Sequence, residues 1–305
     1  MIKAVIDVGS NSIKMRLARI SHGIVHVIRD ETEVVRLGKG MSASGFLQPE
    51  NMKVSCESIS KMVNRAKSMG GEIIIVGTMA LRTAKNSSDF VEMVKAATGL
   101  EIQVLSGEQE AHYSWLGAID GLDSLGASTM FDSGGCSTEF VSGDSTRATR
   151  LESVPIGSVT LTEEYFRDQS APLKRSVCDR AIAHVHDLLA AHNIGAFGGA
   201  SRKVIAVGGG AVTLSSVKQA CENFKPSLLQ GSILTRKDIS VQIGMYSSLS
   251  LRERGEVIGL PEARADVILG SACIMQAVLE SLGADSCVVS INGLRHGVLI
   301  SDKIV

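Results

Sequence analysis

One phrase occurs twice in this chain, and it restricts the folds open to it more than any other feature. Ala4 to Ile6 reads as an apolar strand, Asp7-Val8-Gly9-Ser10-Asn11-Ser12 comes next, and an alternating strand runs from Ile13 to Ile20. Near the middle, Thr129 to Phe131 leads into Asp132-Ser133-Gly134-Gly135-Cys136-Ser137-Thr138-Glu139 and then Phe140-Val141. Period-two alternation around a polar, glycine-bearing tip is the pattern of a β-hairpin. The repetition predicts two structural duplicates.

The segments after the two hairpins match as well. Residues 24 to 37 and 147 to 156 read as extended, and a helical stretch comes next in both halves. In the first, Met52, Cys56, Ile59, Met62 and Met69 recur at helical spacing, Gly70-Gly71 ends the run, and a buried strand covers Glu72 to Gly77. In the second, a helix from about Pro172 to His192 precedes a strand at Lys203 to Val207 and the run Gly208-Gly209-Gly210. A meander that passes into alternating strands and helices predicts mixed sheets covered by helices, an α/β architecture. A chain of 305 residues exceeds the size at which one core usually keeps growing. We therefore expect domains at residues 1–124 and 125–305, with the boundary near Leu122 to Gly126 and a functional cleft between them.

Charge and cysteine usage narrow the function classes. A formal net charge of −1 gives no general attraction to nucleic acid, acidic membranes or polyanions. An anionic ligand must then be held by local charge, metal ions or backbone dipoles. The six cysteines form no CxxC pair, which fits a reducing cytosol. The amino terminus lacks the layout of a signal peptide, and no apolar run approaches a bilayer span. The expectation is a cytoplasmic protein with neither a nucleic-acid nor a membrane partner.

The hairpin tips suggest phosphate chemistry. Successive backbone N–H groups around Gly9, Ser10, Asn11 and Ser12, and around Gly134, Gly135, Ser137 and Thr138, can converge on phosphate oxygens without net charge. Asp7 and Asp132 begin the tips and Glu139 lies close to the second; such hard oxygen ligands suit magnesium. A single tip of this kind is usually just a tight turn, and it is the second copy that favours a paired phosphate clamp. At Gly77 a strand gives way to a helix, which places the Thr78 hydroxyl as a cap and Arg82 one turn on, able to grip phosphate. Ser106-Gly107-Glu108-Gln109-Glu110-Ala111 is again strand, turn and helix start. Glutamates in a first turn commonly serve the helix dipole, but one at the carboxyl end of a sheet strand can orient and deprotonate water. Gly208 and Gly209 mark a further close backbone approach. The seven histidines show no ligand pattern, and Cys136 reads as a small filler.

Together these phrases resemble the exopolyphosphatase and guanosine pentaphosphate phosphatase family, almost end to end. The matches include Asp7 to Ser12, Arg36-Leu-Gly-Lys-Gly40, Gly77 to Arg82, Ser106 to Ala111, Asp132 to Glu139, Pro155-Ile-Gly157, Arg264-Ala-Asp-Val-Ile268 and Ser290 to Val298. The resemblance implies the actin, Hsp70 and sugar-kinase fold class, with duplicated ribonuclease H-like domains. It implies Glu110, not Glu108, as the base that activates water; Asp132 and Glu139 at magnesium and the attacking water; and Arg82 at the substrate. It implies hydrolysis of the terminal phosphoanhydride of polyphosphate or of guanosine pentaphosphate, by a homodimer. Three departures stand out: Cys136 for a glycine, Asn292 for an aspartate and His296 for a glutamate.

Two rivals share the pattern. A sugar or acetate kinase would use the same hairpins, against which stand the glutamate turn and the lack of a sugar-binding insertion. A non-catalytic nucleotide sensor would bind in the same place without turnover. Because the family core accounts for nearly all 305 residues, the further expectation is distributive action on short polyphosphates.

Overall fold

The computed structural model describes residues 1–22, 24–122, 126–144, 148–199 and 202–301. By internal contacts the chain divides into one unit of Met1–Gly117 with Leu294–Val305 and a second of Ala118–Gly293. The expected boundary at 124/125 falls outside the described residues.

In the first unit, β1 (Ile2–Val8), β2 (Ser12–Ser21) and β3 (Ile24–Val34) form an antiparallel meander. β4 (Glu72–Gly77) lies parallel to β1 and β5 (Ile102–Val104) parallel to β4, giving the order β3-β2-β1-β4-β5. The alternation of β1 and β2 sends Ala4, Ile6, Val8, Ile13, Met15 and Leu17 to one face. There they meet Met52, Cys56, Ile59, Met62 and Val63 of the helix Pro49–Ser68, whose apolar stripe is legible in the sequence. Pro49 starts this helix, where its missing N–H costs nothing. Gly70, at φ 69°, ends it in a conformation that disfavours other residues.

The second unit repeats the plan. β6 (Ser128–Ser133), β7 (Thr138–Gly143) and β8 (Ala148–Val154) form the meander. β9 (Lys203–Val207) runs parallel to β6, and β11 (Ser286–Val289) runs parallel to β9. β10 (Ile233–Thr235) adds an antiparallel edge, so the order is β10-β11-β9-β6-β7-β8. Apart from the added β10 edge, both sheets thus share one strand order, and each is a mixed sheet with helices packed on it. The core is organised by the helix Ile268–Ser281, buried at every position from Ile268 to Leu279. A helix apolar on all sides shows no amphipathic period, so its sequence does not single it out. Its small residues admit close neighbours: a Cβ on Gly270 would lie 3.0 Å from the Ser158 carbonyl, and one on Gly210 would lie 2.9 Å from Ser271 Cβ.

One expectation is corrected. The sequence places residues from 294 on in the second domain, yet the helix Leu294–Ile300 packs on the first sheet. Leu294, Val298 and Leu299 cover Val5, Ala18 and Val76 on the face opposite the long helix. Gly297 makes this possible, since any Cβ there would overlap the Tyr113 carbonyl. A buried polar cluster fixes the register: Arg16 binds Asp30 through Nε at 2.8 Å and Nη2 at 2.6 Å, and its Nη1 lies 3.2 Å from His296 Nδ1. Arg295 bonds to Asp30 as well. Burial alone would raise the Asp30 carboxyl, but Arg295 and Arg16 outweigh it and hold it below its usual range.

Candidate active site

In the first unit, three segments meet at the carboxyl ends of neighbouring parallel strands. Val8 of β1 is in register with Gly77 of β4, and Gly77 with Val104 of β5. The turn after β1 is closed by Gly9 N–H donating to the Ser12 carbonyl at 3.2 Å. The segment after β3 braces it: Val35 and Arg36 donate to the Asn11 carbonyl, and Gly38 donates to the Ser10 carbonyl. With the carbonyls engaged, the amides of Ser10 and Asn11 find no acceptor among the described residues. Neighbouring donors of this kind form an anion-binding concavity. Asp7 is buried beside them; Lys14, opposite it on β2, approaches Oδ2 at 3.9 Å, while Oδ1 has no hydrogen-bond partner among the described residues.

Helix Met79–Thr83 brings Arg82 to the same end of the sheet. Thr78 does not cap this helix as expected; its hydroxyl donates to the Val8 carbonyl at 3.4 Å. Arg82 Nη1 donates to Glu110 Oε2 at 2.6 Å and to the Leu105 carbonyl at 2.9 Å. Glu110 is placed by a capping box at the start of helix Gly107–Ile119: Ser106 Oγ accepts from Gln109 N–H, and Gln109 Oε1 accepts from Ser106 N–H. The Ser-x-x-Gln spacing that signals this cap is present in the sequence, masked there by the two glutamates beside it. Glu110 is 9% exposed.

The second unit has the same turn, with Gly134 N–H donating to the Ser137 carbonyl at 2.9 Å. Ser158 donates to the Gly134 carbonyl and Val159 to the Gly135 carbonyl, while the amides of Gly135 and Ser137 find no acceptor among the described residues. Gly157 lies so close that a Cβ would overlap the Gly135 carbonyl and the Cys136 nitrogen. Cys136 is buried without a positive φ, in line with its reading as a filler. The Thr138 hydroxyl is turned to the protein, donating to the Ile156 carbonyl at 2.7 Å. Asp132 and Glu139 are directly opposed across β6 and β7, the positions held by Asp7 and Lys14 in the first unit. Gly208, at φ 94°, opens a helix against Asp132: a Cβ there would lie 2.8 Å from Oδ1. The Arg264 guanidinium packs on Gly209, a neighbour that the sequence alone gave no reason to expect. Burial lowers this guanidinium from its ordinary value and Asp266 acts in the opposite sense.

Two like charges opposed on adjacent strands repel each other unless a cation lies near. Asp132 and Glu139 are hard oxygen ligands of the kind a divalent ion takes, Glu139 Oε1 also accepting from the Ser153 hydroxyl at 3.0 Å, and Lys14 lies beside Asp7 in the first unit. Among the described residues no group of three or more histidine, cysteine or acidic side chains could hold a metal alone. Magnesium, which keeps several waters and takes few carboxylates, is compatible with such a sparse set. His186 lies 2.8 Å from Glu280 and 3.1 Å from Ser281 Oγ, and His184 lies 3.6 Å from Glu164, so both are engaged by neighbouring side chains.

Comparison with known proteins settles the family. A model of the Ppx/GppA phosphatase family matches residues 17–303. The chain belongs to this family. A guanosine-5'-triphosphate,3'-diphosphate pyrophosphatase of Aliivibrio fischeri (strain MJ11) is 30% identical over 300 residues, 97% of this chain and 58% of that protein. The chain spans about half the length of the curated relatives it matches. The crystal structure of the Aquifex aeolicus member of the Ppx/GppA family aligns with a TM-score of 0.81 at 28% identity, over 99% of this chain and 97% of that one. An exopolyphosphatase from Cytophaga hutchinsonii shares the fold, with a TM-score of 0.86 at 22% identity, over 98% and 96%. No helix among the described residues of this Ppx/GppA protein is long and apolar enough to cross a membrane.

Proposed function

We propose that this protein hydrolyses a terminal phosphoanhydride, with inorganic polyphosphate as first candidate substrate and guanosine pentaphosphate as second. The observation that carries the reading is the buried Glu110 carboxylate held by Arg82. A fixed carboxylate beside a phosphate-binding arginine is equipped to take a proton from water. The amides of Ser10, Asn11, Gly135 and Ser137 are suited to anionic oxygens, and Arg82 to a phosphate edge. Water that gives its proton to Glu110 attacks the terminal phosphorus, and the anhydride oxygen leaves with the shortened chain. Asp132 and Glu139, with Asp7 as a further candidate, would hold magnesium, which when bound neutralises developing phosphate charge.

These groups address phosphate alone, which favours polyphosphate. The name of the Aliivibrio fischeri relative favours guanosine pentaphosphate. Rates on the two substrates, measured side by side with magnesium, separate them. Phosphate transfer to added sugar or acetate would point to a kinase, and tight binding without turnover would point to a sensor. Asp132→Asn or Glu139→Gln is expected to raise the magnesium concentration needed for half-maximal rate; full activity of the parent in excess chelator would overturn the metal assignment. A cytoplasmic location, from the cysteine usage, and a homodimer, from the family resemblance, belong to the same proposal, and fractionation and sedimentation velocity test them.

A further inference from the structure

We infer that Arg82 is the positioning residue that couples the bound phosphate to the base, a role that rests on the proposed hydrolysis and extends it. The two edges of its guanidinium are used differently. Nη1 is committed, to Glu110 Oε2 at 2.6 Å and to the Leu105 carbonyl at 2.9 Å. It thereby ties the end of β5 to the first turn of the helix that carries the base. Nη2 has only the soft Met79 sulfur at 3.7 Å, and Nε has no hydrogen-bond partner among the described residues. The side chain is 17% exposed, so this second edge is not sealed in the core. Two parallel N–H groups on one edge match two oxygens of a phosphate.

The consequence is geometric. A phosphate held on the Nε–Nη2 edge fixes the plane of the guanidinium, and the plane fixes where Nη1 holds the carboxylate. The Nη1–Oε2 bond thereby sets the orientation in which the carboxylate meets water. Base and phosphorus are then set by one rigid, planar group, and not by two side chains that relax independently. Lysine carries the charge but has a single nitrogen, so it can serve the phosphate or the base and not both with the same geometry.

The test uses the full chain with polyphosphate, guanosine pentaphosphate and inorganic phosphate. Arg82→Lys is expected to lower kcat about 10- to 100-fold, the loss typical of a misplaced reacting group, while KM changes much less. In a Glu110→Gln background the same substitution should leave kcat nearly unchanged, because no base remains to be placed. A rise in KM alone, or equal losses in both backgrounds, would overturn the proposal and leave Arg82 a phosphate ligand only. A second readout needs no turnover. With 13C-labelled glutamate, saturating inorganic phosphate should shift the Glu110 carboxyl resonance in the parent and not in Arg82→Lys. A shift of equal size in both proteins sinks the coupling. If the parent cleaved neither substrate, the proposed function would fall, and the resonance would still decide the link.

Discussion

Glu108 and Glu110 stand two residues apart in the first turn of one helix, and their surroundings separate them. Glu108 is exposed, whereas Glu110 is buried and bound to Arg82. Composition and spacing leave either glutamate eligible; the family resemblance chooses Glu110, and the ion pair supplies a physical reason. Glu110→Gln keeps the shape and removes the basic oxygen. It is expected to cost roughly 10² to 10⁴ in kcat while substrate still binds. Glu108→Gln should lie near the parent in the same steady-state assay, and the reverse order would refute the assignment. In the sequence, Gly157 stands out only as part of a family phrase. Its contact with Gly135 and Cys136 lies between segments distant in sequence, so nothing local reveals why a side chain is forbidden there.

The helices differ in how plainly they are written. Pro49–Ser68 announces itself by an apolar stripe and a glycine stop, while Ile268–Ser281 hides because it is apolar all round. Between these lies Arg236–Ser247, fixed at its start by a capping box: Thr235 Oγ1 accepts from Asp238 N–H at 3.1 Å, and Asp238 Oδ2 accepts from Thr235 N–H at 2.9 Å. Thr235→Ala should cost about 1 kcal/mol in urea unfolding. The Asp238 carboxyl resists a rise from burial and is drawn down to about 2 by Lys218 and Thr235. A carboxyl depressed in the folded state stabilises above its ordinary value of 3.8, and that stabilisation is lost as pH falls towards 2. The stability difference between parent and Asp238→Asn should therefore shrink over that acid range. A constant difference would show that the ionised carboxylate contributes nothing.

At the scale of the whole chain, the carboxyl-terminal helix belongs to the unit built by the amino terminus. Leu294, Val298 and Leu299 are nearly fully buried, and each such side chain stabilises by about 1.5 to 3 kcal/mol. Removing residues from 294 on should therefore expose Val5, Ala18 and Val76 and loosen the first unit in particular. Limited proteolysis with peptide mapping checks this: early cuts are expected within 1–117, and cuts confined to 118–293 would contradict the packing. Gly297→Val should reproduce the effect in the full-length chain by forcing the helix off the Tyr113 carbonyl.

The duplication, the strand alternation, both glycine turns and the long amphipathic helix are legible in the sequence, because each rests on neighbours within a few residues. The sequence also contained the hairpin spacing that sets Lys14 opposite Asp7 and Glu139 opposite Asp132. Tertiary structure alone decided that Arg82 holds Glu110, across 28 positions, and that Arg16 meets His296, across 280. Contacts so remote leave no periodic trace, since chain folding and the packing of whole faces bring such residues together, not local preference.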